Sequence, residues 1–136
     1  MTRRGFRGYV PPVRPPHGFV VRRLLLLLVL LAALGALYTI ATLRWNYSEG
    51  ERVGWVQKFS RKGWLCKTWE GELAMVTMPG AIPEKFFFTV RDDRVADRLN
   101  QTLGRRVAVT YTEHVGIPTT CFGDTSYFVD GVKIVE

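Results

Sequence analysis

Cys66, His114 and Cys121 are the residues of this chain best equipped for chemistry. A thiol beside an imidazole makes a nucleophile, and two thiolates with an imidazole supply most of a tetrahedral zinc site. The spacing supports neither. The three residues are spaced 48 and 7 apart with no C-x-x-C pair, and no serine, aspartate or cysteine stands in a recognisable motif with His114. The sequence therefore implies no catalytic residue, no metal and no cofactor. Glu70 and Glu72, two apart on a predicted strand, share a face and could form paired carboxylates, but beside Lys67 they read as solvated charge.

Binding chemistry is better represented. The segment "SRKGWLCKTWEGE" at residues 60–72 packs two adjacent cations, two tryptophans and a cysteine together, a mixture found in nucleic-acid-binding strands and in plain β-hairpins. The candidate binding face takes Lys58, Arg61, Lys62 and Trp64 from this region, with His114 and Asp124 from a long loop at residues 112–126. Trp55, Trp64 and Trp69 are expected in the core or on a sheet face, and Lys58, Arg61, Lys62 and Lys67 along a solvated hairpin edge.

Charge decides between partner classes. The net charge is +7, yet residues 1–43 hold six arginines and no acidic residue, so the remainder is nearly neutral. A near-neutral domain lacks the field that counterion release exploits, and no nucleic-acid partner is expected.

The elements that position these residues begin with a membrane span. Residues 24–43, "LLLLLVLLAALGALYTIATL", carry no charge. As a helix the run covers roughly the 30 Å of a bilayer's hydrocarbon. Arg22 and Arg23 precede it, and Arg44, Trp45 and Tyr47 follow. The positive-inside rule leaves the N-terminus in the cytoplasm and exports everything after the span, giving a single-pass protein of the bacterial inner membrane in contact with its lipid. The run is longer than a signal peptide's apolar region and Thr39-Ile40-Ala41 is a poor cleavage site, so an uncleaved anchor is expected. Residues 1–23, rich in proline, glycine and arginine, are expected to be disordered, and residues 44–51 form a juxtamembrane linker.

Residues 52–136 are the exported, periplasmic domain. Strands are expected at 52–60, from Trp64 towards Met75, at 85–90, at 105–111 and at 127–135. Phe86, Phe87 and Phe88 suggest burial on both faces of the third strand. An amphipathic helix follows Asp92, with Val95, Leu99 and Leu103 on its buried face. Gly54 and Asp130-Gly131 are candidate bulges. The order β-β-β-α-β-β, after one N-terminal transmembrane helix, is that of a small mainly-β domain with an OB-fold-like barrel. In such a barrel the first and fourth inter-strand loops meet at one face, and the periplasm is oxidising, so a Cys66–Cys121 disulfide is expected.

The stretches "YSEGERVGWVQKFSRKGWLCKTWEGELAM" and "PTTCFGDTSYFVDG" resemble a group of small bacterial membrane proteins, each with one span and one exported OB-like domain. Some of these carry a 6-phosphogluconate dehydrogenase label. The present chain has no strand–GxGxxG–helix unit and is too short for a dinucleotide domain plus a substrate domain. The resemblance implies a location and a fold. The function expected is a membrane-anchored binding or assembly module, not an enzyme, acting through a protein partner in an envelope complex. Recognition of a glycan or lipid headgroup by the barrel face is the alternative, and an enzyme of unrecognised type comes after it.

Overall fold

The computed structural model of the protein describes residues 17–75 and 78–135. Helix α1 spans His17–Arg44, 28 residues, and is long and apolar enough to cross a membrane. It starts before the uncharged run because nothing from residue 17 to 23 stops a helix, and Arg22 and Arg23 are good helix formers. The expected disorder of residues 1–23 therefore fails for the last seven, and residues 1–16 lie outside the described residues. Arg44 closes the helix with a positive charge where the dipole favours one. The chain divides after Ala36 into two compact units, and the end of α1 from Leu37 belongs with the second.

The second unit contains five strands and a short helix: β1 (Ser48–Lys62), β2 (Thr68–Met75), β3 (Glu84–Val90), α2 (Asp93–Gln101), β4 (Arg106–Glu113) and β5 (Tyr127–Ile134). The strands close in the order β1-β2-β3-β5-β4, a small OB-like domain. At 15 residues β1 is long enough to serve two neighbours, and it absorbs residues 48–51 of the expected linker. Its first half pairs with β4, from Ser48↔Glu113 to Trp55↔Arg106, and its second half with β2, from Trp55↔Ala74 to Lys62↔Thr68. A bulge between Val56 and Lys58 bends the strand near this handover. Gly54 is not itself the bulge. A Cβ there would stand 2.4 Å from the Ala74 carbonyl oxygen, so only glycine lets β1 pass this close to β2. At Asp130 the expected bulge is present, the register slipping between Thr110↔Gly131 and Tyr111↔Val129.

Alternation along the strands sends one set of side chains inward. Val56, Leu73, Phe86, Phe88, Val107 and Val129 fill the interior, each at most 4% exposed. Phe87, at 53%, points the other way and is exposed, which corrects the expectation for three buried phenylalanines by period-two geometry, while Thr89 on that same outer face is covered. Gly71 leaves room for Phe88, whose ring would lie 2.2 Å from an added Cβ. Helix α2 contributes Val95, Ala96 and Leu99 to the same core, and Asp92 caps it by accepting from the Arg94 amide at 2.8 Å. Leu103 does not join them. The helix ends at Gln101, the Thr102 hydroxyl donates to the Leu99 carbonyl at 3.0 Å, and Leu103 is left 47% exposed.

Candidate functional site

The strand order brings the turn after β1 next to the long connection from β4 to β5. Cys66, in the first, and Cys121, in the second, form a disulfide with Cα atoms 4.9 Å apart. A second tie lies beside it. Glu70, on β2, is buried at 8% exposure and accepts from the Thr68 hydroxyl (2.7 Å), the Thr89 hydroxyl (2.8 Å) and the Asp124 amide (3.1 Å). This corrects the expectation of a solvated Glu70. Burying a carboxylate is unfavourable unless its lone pairs are satisfied, and three donors from β2, β3 and the β4–β5 loop satisfy them. Glu72 faces a different neighbourhood and pairs with Lys85. At the rim, Lys62 and Asp124 form an ion pair at 2.7 Å, and the hydrogen bond to that carboxylate holds the Lys62 amine above its ordinary value.

These ties shape a cleft of about 250 Å³ walled by the hairpin, the end of β3 and the β4–β5 loop. Arg61 and Lys67 stand on the hairpin side, Arg91 follows β3, and Cys121 and Phe122 close the far side. Trp69 forms part of the wall. Its indole N–H donates to Asp93 Oδ1 at 3.1 Å, its ring stacks on Phe59 at 5.2 Å, and the Arg61 guanidinium lies 5.8 Å from the ring centre. Arg91 is likewise seated over aromatic faces, 5.8 Å from Phe122 and 5.5 Å from Phe128. Among the described residues Arg61, Lys67 and Arg91 form no ion pair.

The expected binding face is thus only partly assembled. Arg61 lines the cleft, and Lys62 and Asp124 meet beside it. Trp64 is neither core nor sheet face: with Leu65 it sits at the hairpin tip, 98% and 84% exposed. Lys58 lies further down β1 beside Phe87 and Glu72, away from the cleft. His114 is buried at 6%, its Nδ1 donating to the Thr42 carbonyl at 3.3 Å and its ring against Phe128. Thr42 is in the last turn of α1, whose carbonyls have no partner within the helix, so the imidazole supplies one. The Tyr38 hydroxyl, donating to the Gly116 carbonyl at 3.0 Å, adds a second link in the same place. His114 therefore lies outside the cleft, tied to the end of α1. Arg91 and Phe122 escaped the sequence reading, although the placement of Arg91 directly after β3, at the end where the two loops converge, was the available signal.

No protein-family model matches the sequence, and no curated protein does either. Among solved structures the chain is similar to the crystal structure of the mitochondrial single-stranded DNA-binding protein Rim1 from S. cerevisiae. That match has a TM-score of 0.52 at 12% identity and covers 68% of this chain and 97% of that one. The likeness supports the OB-like fold. It also overturns the partner assignment that excluded nucleic acid, since a chain of this architecture carries single-stranded DNA binding in its name. The exclusion failed because it summed charge over the whole domain. A binding surface responds to local groups, and here two arginines and a lysine without carboxylate partners line one cleft.

Proposed function

We propose that the chain is a single-pass inner-membrane protein with a cytoplasmic N-terminus, whose exported OB-like domain is a binding or assembly module that engages a protein partner in an envelope complex. The observation that carries this reading is the hairpin tip. Trp64 and Leu65 are 98% and 84% exposed on a loop held by the Cys66–Cys121 disulfide. Large apolar side chains on a rigid support are the anchors that protein interfaces favour, because little conformational entropy is lost when they are buried. Export is supported by the arginine bias ahead of α1 and by the disulfide, which persists in oxidising compartments. A photoreactive amino acid at position 64, in the full chain in its native membrane, should give a discrete protein adduct, while one at Ile82, exposed at 94% in another loop, should not. Equal labelling from both positions, or none from position 64, would refute the contact. Orientation is tested separately by reporters fused after Glu136: a periplasm-dependent reporter should be active, and a working cytoplasmic one would reverse the topology.

A second reading, recognition of a glycan or lipid headgroup by the barrel, is favoured by the polar cleft beside the tip. Saturable binding of cell-wall fragments that is lost in Trp64→Ala would support it over the protein contact.

A further inference from the structure

We infer that the cleft between the hairpin, the end of β3 and the β4–β5 loop binds the phosphate group of a small phosphate ester, soluble or presented as a lipid headgroup. Three cations, Arg61, Lys67 and Arg91, line it, and among the described residues none is neutralised by a carboxylate. Asp93 is the acidic group in the wall, and it already accepts the Trp69 indole N–H at 3.1 Å. The cleft therefore holds an excess of positive charge that matches a phosphate monoester, or a diester with a margin.

The way the cations are held indicates what they bind. Each guanidinium lies over a ring, Arg61 at 5.8 Å from Trp69 and Arg91 at 5.8 Å from Phe122. Among the described residues neither guanidinium has a carboxylate partner, and the N–H donors of such a fork match two oxygens of a phosphate. The remaining polar side chain of the wall, Thr68, already donates its hydroxyl to Glu70 at 2.7 Å, so the three cations are the donors left for a ligand. The Trp69 ring is engaged by Phe59 at 5.2 Å and by Arg61, which makes it a support for a cation and leaves it a poor platform for a nucleobase. A volume of about 250 Å³ suits a phosphate headgroup and excludes a folded peptide. Because Cys121 is in the wall and disulfide-bonded to Cys66, the wall is organised before a ligand arrives. This site does not depend on the protein contact proposed at Trp64.

The test uses the full chain in detergent micelles, titrated calorimetrically with glycerol 3-phosphate and, as the uncharged control, glycerol. Saturable binding of the phosphate ester alone is expected. Arg91→Ala and Arg61→Ala should each weaken it about tenfold or more, the usual scale for losing a charge-assisted hydrogen bond. Lys67→Ala, which disturbs no ring contact, should weaken it several-fold and guards against loss through misfolding. Arg105→Ala, outside the cleft, should leave it unchanged. Absence of saturable binding, or an equal loss in Arg105→Ala, overturns the inference. An oligothymidylate that binds far more tightly than the phosphate ester and loses affinity in the same variants overturns it in favour of a nucleic-acid strand. Repeating the titration in phosphatidylglycerol and phosphatidylcholine vesicles separates the two sources. Competition confined to phosphatidylglycerol identifies a headgroup, and equal binding in both identifies a soluble ester.

Discussion

Trp64 and Trp69 belong to the same short segment and have opposite surroundings. Trp69 stacks on Phe59, supports Arg61 and donates its N–H to Asp93, so its faces and its polar edge are all engaged. Trp64 is 98% exposed. The difference follows from the strand register. Trp69 lies opposite Arg61 and Val90 in the sheet, where neighbours on both sides deliver side chains to it, while Trp64 falls in the turn beyond the last β1–β2 pair, Lys62↔Thr68. One tryptophan maintains the wall of a cleft, and the other is apolar surface that the fold itself does not use.

Removing what holds the two regions together should have the largest effect. The double variant Cys66→Ser/Cys121→Ser should lose about 4 kcal/mol by the loop-entropy model, read as a lower denaturation midpoint of the full chain in detergent. A loss near zero would mean that Glu70 and its partners hold the loops unaided. Trp69→Ala should cost about 3 kcal/mol, toward the lower end for aromatic truncations because the ring is only partly buried. A value as small as that of a surface change would break the contrast between the two tryptophans. Glu70→Gln keeps the shape but turns one acceptor oxygen into a donor facing groups that already donate, and about 1 to 3 kcal/mol should be lost. Trp64→Ala should change stability by no more than about 0.5 kcal/mol, since the side chain is almost wholly exposed. A large destabilisation there would show that the tip is part of the fold.

Local features were legible in the sequence. The apolar run in α1, the Asp92 cap and the Val95–Leu99 face of α2 each show within a few residues, and the even count of two cysteines made a pair readable. Features that depend on distant segments were hidden. Nothing near Glu70 shows that Thr89 and the Asp124 amide will reach its carboxylate, so solvation was the natural expectation. His114 looked like a ligand-binding group because its partner, the Thr42 carbonyl, is far back in the chain. Phe87 and Thr89 share the outer face of β3, yet only Thr89 is covered, because Glu70 and the β4–β5 loop reach that end of the strand. For Arg91, its neighbours across the cleft, Arg61, Lys67 and Phe122, come from the β1–β2 hairpin and the β4–β5 loop, so their convergence appears only once the strands are paired.

The Cys66–Cys121 bond also closes a covalent ring that contains all of β2, β3, α2 and β4. The turn between β2 and β3, where Met78 and Ile82 are 70% and 94% exposed, lies inside that ring. A protease that cuts there opens the ring without releasing a fragment. The nicked protein migrates as one species until it is reduced and as two afterwards, so a single cleavage in the exposed turn leaves the hairpin tip and the β4–β5 loop fastened to each other.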